Sequence, residues 1–372
     1  APAFAGTWYI ENGDITVKAG KTGNDVTQNN ETTYGDTGTV ITGKSDKNTV
    51  TIEAKDKGDK VEVKFENVNI DASSRSEAAV SVTGKGDTNI ELDGDNKLQS
   101  GSGHAGLEHN KTDTSGELTI QDNNKDGGSL KATGGQFGAG IGGAGVNDAQ
   151  VKITGGKITA TGGEFGAGIG GGFKGSGDVT ITGGEITANG GSYGAGIGGG
   201  KGVYLASDKK IHGGDGKVTI TGGKITATSK SFGAGIGGGS NGSGDVTIEG
   251  NTEVNAAGGT GGAGIGSGAG DAKANITLEG KVTIVAKAGD GNVAIGDING
   301  EQELNGLAPG SNVTRSDSEG NDISLPGDKV PTPSGGDTAG GGSTDGDSAG
   351  GGSAGGDSAG GGSTGGGSTG GD

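Results

Sequence analysis

Between residues 137 and 297 the chain is written in short runs whose alternate positions are apolar, closed by paired glycines. The stretch VTITGGEITANGGSYGAGIGGG, residues 179–200, shows the unit. Alternation at a period of two predicts strands buried on one side. The predicted inward set is Val179 and Ile181, then Ile186 and Ala188, then Tyr193, Ala195 and Ile197. Three strands meeting at Gly-Gly corners predict one turn of a three-sided coil.

The unit recurs. The segment FGAGIGGG, residues 165–172, returns at 137–144, 193–200, 232–239 and 261–268, with a remnant at 293–297. Its isoleucines, Ile141, Ile169, Ile197, Ile236, Ile265 and Ile295, are 28, 28, 39, 29 and 30 residues apart. A period of that size marks a stacked array, because one coil has too little apolar surface to order itself and is stabilised by burying its inward side against its neighbours. The reading is an all-β, three-sided parallel solenoid of roughly nine coils. Residues 1–48 are expected to form an N-terminal cap and irregular first coils, and 49–325 the β-helix, regular over 137–297. Residues 326–372, rich in Gly, Ser and Asp, are expected to be a flexible linker. The outward positions of the strands carry Thr, Lys, Glu and Asn, and the ladder Phe137, Phe165, Tyr193, Phe232 shares parity with Ala167 and Ile169, which places it in the core.

Composition narrows the function. The chain holds 94 glycines in 372 residues with no strict every-third repeat, so it is neither an ordinary globular pair of domains nor a collagen. A formal charge of −18 repels phosphate backbones and argues against a nucleic-acid partner. With no Cys and no Met, disulfides and thiolate metal sites are excluded. No apolar run approaches the ~20 residues a membrane span needs. The start, APAFAGTWYI, has no initiator Met and looks like an end left by signal cleavage or by an engineered start.

The order VEVKFENVNIDA, AAVSV, TNIELDGDNKL, ELTIQ, SLKATGG, GAGIGG over roughly 49–300 resembles bacterial right-handed parallel β-helix surface proteins, notably a clostridial carbohydrate-binding-domain family. The repeated ITGGxITATGGxFGAGIGGG is similar to arrays in large cell-surface proteins of gut Firmicutes. The resemblance implies a right-handed coil, glycan binding and, in some members, calcium.

The chemistry on offer is sparse. In FGAGIGG the parity that sends Phe165, Ala167 and Ile169 inward turns Gly166, Gly168 and Gly170 outward, a bare strip on which a polysaccharide or a second molecule could lie. An eleven-residue insertion within 201–213, KGVYLASDKKIHG, is expected to wall a binding groove with Tyr204, Asp208, Lys209, Lys210 and His212. In DNNKDG the residues Asp122, Asn124 and Asp126 before Gly127 have the spacing of a calcium loop, although Thr133 stands where such a loop has Glu. TxT pairs, Thr180 with Thr182, Thr219 with Thr221, Thr159 with Thr161 and Thr226 with Thr228, match the pattern of flat ice-binding solenoids. Outside the ladder only Trp8, Tyr9, Tyr34 and Tyr204 are candidate exposed aromatics. Polysaccharide lyases and hydrolases of this architecture need clustered carboxylates or a placed base. His104, His109 and His212 form no triad-like spacing, and Arg75 and Arg315 are the two arginines. The expectation is a non-catalytic adhesin, secreted or attached to a cell wall through a region beyond the linker, that binds host or cell-wall polysaccharide through one lateral face and needs no cofactor. Alternatives are a structural stalk or self-associating scaffold and, behind them, ice binding or lyase activity.

Overall fold

The computed structural model describes residues 4–334; most of the expected linker, from 335 onward, lies outside them. It is a parallel β-solenoid of about eleven turns, where roughly nine coils were expected. Early strands that lack the glycine motif belong to the same stack. Ile15–Ala19, Val50–Glu53 and Val80–Thr83 stack on the side later occupied by Ile141–Gly142, Ile169–Gly170 and their successors.

Each regular turn has two long strands and one short one. Asp148–Ile153, Gly177–Ile181, Gly216–Ile220 and Gly244–Glu249 stack on side one; Lys157–Thr161, Glu185–Gly190, Gly223–Ser229 and Thr252–Ala257 stack on side two. The pairing is parallel and in register, so like residues lie over like. Ile153, Ile181, Ile220 and Ile248 form one column, Ile158, Ile186 and Ile225 a second, and Ile141 to Ile295 a third. All of these isoleucines are buried. Neighbouring strands in such a sheet lie about 4.8 Å apart, so hydrogen bonding along the axis is continuous. Outside side two, Lys157, Glu185, Lys224 and Glu253 alternate in sign on successive rungs. A one-coil slip would set like charges opposite one another, which adds to the register given by the core.

Both ends are closed. At the N-terminal end Asn24–Gln28 pairs antiparallel with Ile15–Ala19, and Glu31–Asp36 antiparallel with Asn24–Gln28, ending the stack with strands that run the other way. Trp8 is half-buried there, its indole N–H donating to Asp36 Oδ2 at 2.9 Å. At the C-terminal end the packed body runs past Leu325, where the linker was expected to begin, and the compact unit reaches Thr332. The cause is Arg315, fully buried, whose guanidinium grips Asp328 through two 2.9 Å bonds and Glu301 through a third of 3.0 Å. Sequence composition hides this contact, because Asp328 sits in a Pro- and Gly-rich stretch.

Candidate functional site

The side-three unit is not a strand throughout. In FGAGIGGG only Ile169 and Gly170 are extended, and residues 164–166 form a turn and bend. Counting parity from Ile169 back to Phe165 therefore fails. Ala167 and Ile169 are buried, but the ladder Phe137, Phe165, Tyr193, Phe232 lies at the corner between sides two and three, its first three rings half-buried and Phe232 37% exposed. Register holds the rings one above another at centroid separations of 5.2, 5.4 and 5.2 Å, with planes 17–26° apart. Carbon atoms in contact lie about 3.5–4.0 Å apart. Near-parallel rings at these longer centroid distances are therefore slipped, the preferred offset arrangement. The slip leaves part of each face uncovered by the next ring.

Two side chains from successive turns close over the pile. Phe173 meets Phe137 and Phe165 edge-on at 5.6 and 5.2 Å. One turn on, Lys201 holds its ammonium 4.1 Å from the Tyr193 centroid and 5.3 Å from that of Phe165, within cation–π range. The backbone fixes both, since Phe173 N donates to Phe137 O at 2.8 Å and Lys201 N to Phe165 O at 2.9 Å. The corner's apolar surface ends at Val146, 67% exposed, whose N–H donates to Phe173 O at 2.7 Å.

Val146 adopts φ 65°, as Lys174 and Asn241 do at 58° and 63° in the matching position of later turns. For a β-branched residue this is a strained conformation costing about 1–2 kcal/mol. Asn241 tolerates it and uses its side chain to donate to Gly202 O at 3.0 Å. Val146→Asn is accordingly expected to stabilise the protein by about 1 kcal/mol, read as a higher denaturant midpoint at unchanged m. An unchanged or lowered midpoint would show that Val146 is held by packing and not strained.

Beside the rings, on the side-two flank, runs an open groove of about 690 Å³ lined by Thr161, Glu164, Asn189, Ser192, Thr228 and Lys230. Glu164 and Ser192 immediately precede Phe165 and Tyr193, so ring and polar lining alternate along the corner. Thr161, Asn189 and Thr228 occupy one outward row on consecutive rungs.

The insertion forms an antiparallel hairpin, Val203–Leu205 with Lys210–His212, between Gly202 and Gly214. It adjoins the corner: Gly202 N donates to Ser240 O, and Ser240 N donates to Tyr193 O, both at 2.8 Å. Tyr204, 56% exposed, pairs with Ile211, 44% exposed. Asp208 Oδ2 bonds His212 Nε2 at 2.6 Å, and Lys210 N donates to Asp208 Oδ1 at 3.1 Å. Desolvation pushes the Asp208 carboxyl up, but these bonds and the His212 ring outweigh it and hold it below the usual range. Lys209, at φ 57°, occupies the hairpin turn.

The other candidate residues fare differently. Gly166, Gly168 and Gly170 are buried and so form no bare outward strip. A side chain on Gly166 would strike Gly138 O, and one on Gly170 would strike Gly198 O. These glycines are required by the close passage of successive turns, which is one recognised reason for glycine in strands. Asp122, Asn124 and Asp126 lie in a turn, where Asp122 Oδ2 accepts from Gly127 N at 3.2 Å and Asn124 N donates to Glu91 Oε1 at 3.2 Å. Thr182 and Thr221 fall just beyond their strands, and on side two the pairs Thr159 with Thr161 and Thr226 with Thr228 are separated by a rung that carries Thr187 and Asn189. His104 joins Glu108 at 2.8 Å, a pairing that sequence spacing did not suggest.

A family model described as beta helix repeat matches residues 126–145, 151–173, 179–201 and 218–240, four turns that carry Phe137, Phe165, Tyr193 and Phe232 in turn. No curated protein and no solved structure is significantly similar to the chain. Ladders in register, columns of isoleucine and this match together make the chain a parallel β-helix repeat protein.

Proposed function

We propose that this is a non-catalytic surface protein, secreted or held at a cell wall, that binds glycan along the corner between sides two and three. The observation carrying the reading is the slipped, partly exposed pile of four rings beside an open polar groove. Aromatic side chains combine apolar faces with defined geometry, which suits the C–H face of a pyranose, while the groove's hydroxyl, amide and charged groups suit its hydroxyls. Successive rungs repeat both at one spacing, so an extended polysaccharide would meet the same surface several times.

The test is a glycan array probed with the protein, with calcium or with chelator. Three variants accompany it: Phe165→Ala with Tyr193→Ala and Phe232→Ala; removal of 203–213, which joins Gly202 to Gly214; and Thr187→Ala on side two. The ring variant is expected to bind about tenfold or more weakly, about 1.4 kcal/mol or more, with Thr187→Ala unchanged. Loss on removing the hairpin assigns it to the site; retention confines the site to the rings. No array signal from the folded wild-type protein overturns the reading and favours a structural stalk.

A further inference from the structure

In six turns the residue after the inward isoleucine is a glycine: Gly142, Gly170, Gly198, Gly237, Gly266 and Gly296, at φ between 131° and 143°. In the four turns before them the same row holds Thr16, Thr51, Ser81 and Glu108, of which Glu108 alone is charged. Leu107 stacks under Ile141, and Glu108 stands under Gly142. A carboxylate in a row otherwise made of Thr, Ser and Gly needs a reason. Its side chain is 8% exposed; Oε1 accepts from His104 Nδ1 at 2.8 Å and from Ala105 N at 3.2 Å. Oε2 has no hydrogen-bond partner among the described residues. Glu108 lines a groove of about 360 Å³ together with Lys85, Asn110, Thr112 and Ser115. His109, buried beside it, holds one wall in place through Val82 O at 3.1 Å and Gly116 O at 2.8 Å.

We infer that this groove is a second binding site, built for a small neutral polyhydroxylated ligand the size of one sugar ring. Oε2 is reached by solvent at the groove, where a ligand hydroxyl in place of water would make a charge-assisted bond to it. Oε1 is fixed by His104 and Ala105, so the orientation of Oε2 is set before a ligand arrives, which lowers the ordering cost of binding. Glu108 and Lys85 are the acid and the base lining the groove, and the rest of the lining is uncharged. A free cation would meet the ammonium and an anion the carboxylate. A ligand hydroxyl satisfies both, donating to Glu108 and accepting from Lys85. The volume is at the small end of ligand sites, room for a monosaccharide and not for a chain of them. No ring of the aromatic corner lines this groove, so the inference stands or falls apart from the glycan corner.

The experiment is an amide-resolved NMR titration of the whole chain with glucose, galactose, mannose and xylose in large excess, with calcium chloride and sodium acetate as separate arms. Shifts are expected for at least one sugar at Lys85, Glu108, Asn110 and Ser115. Affinity should fall about tenfold in Glu108→Gln, the loss of one charge-assisted bond. Phe232→Ala should leave it unchanged. Lys85→Ala, at an exposed position, should weaken binding several-fold and carries the test if Glu108→Gln disturbs the turn. Absence of sugar shifts, shifts with calcium or acetate alone, or full affinity in both variants would overturn the inference.

Discussion

Gly170→Val is expected to divide the column in two. At φ 138° the backbone of Gly170 is in a region that L side chains rarely adopt, and a β-carbon there would run into Gly198 O of the next turn. Neither problem has a cheap remedy. The obstacle is backbone, and that backbone is bonded onward: Gly171 N donates to Gly198 O at 3.0 Å, and Gly199 N to Gly237 O at 3.0 Å. Strain of this kind costs about 1–3 kcal/mol before the neighbouring turn is displaced, and the displacement removes the interface term on which a repeat array depends. The expected result is a loss of at least about 3 kcal/mol and a denaturation curve with two transitions, one for each half of the stack. Gly103→Ala is the control. Nothing lies within 4 Å of its added carbon, so its effect should stay within about 0.5 kcal/mol. A single unshifted transition for Gly170→Val would mean the turns are not packed as described.

The second large effect is expected at the C-terminal end. Arg315→Leu leaves Asp328, 1% exposed, without the two bonds that balance its charge. Removing one partner of a buried ion pair costs about 3–5 kcal/mol, because the remaining charge is uncompensated. Glu301 suffers less, since it also accepts from Ala294 N and Ile295 N. Hydrogen exchange should show protection lost across 301–332 and kept across 137–240, as nearest-neighbour stability requires. Adding Asp328→Leu should restore much of the loss, since two apolar groups replace the pair. If the double variant is no better than the single, Arg315 acts by filling space and not by charge.

What the sequence revealed followed from where strands really are strands. Val179, Ile181, Ile186 and Ala188 lie in extended segments, so counting by twos placed them inside correctly. Phe165 does not, and the same count put it in the core when the turn at 164–166 brings it to the corner. The glycines misled for the opposite reason. Gly166, Gly168 and Gly170 have no side chain to show direction, and only the packed turns reveal that neighbouring carbonyls fill the space. Glu108 was legible in principle: LEHN stands where later turns have IGG, a charged residue in a row that otherwise takes Thr, Ser or Gly. Arg315 was not, because its partners Glu301 and Asp328 are brought together only by the path of the last turn.

The account depends on the rings of the corner facing water, and the absence of cysteine from the chain makes this directly measurable. Tyr193→Cys, Phe232→Cys and Ile197→Cys, each the sole thiol, would be labelled with a maleimide in the native state. Rapid labelling at 193 and 232, with Ile197→Cys protected until the protein unfolds, is the predicted result. Equal protection at all three positions would return the aromatic ladder to the core and remove the glycan-binding corner with it.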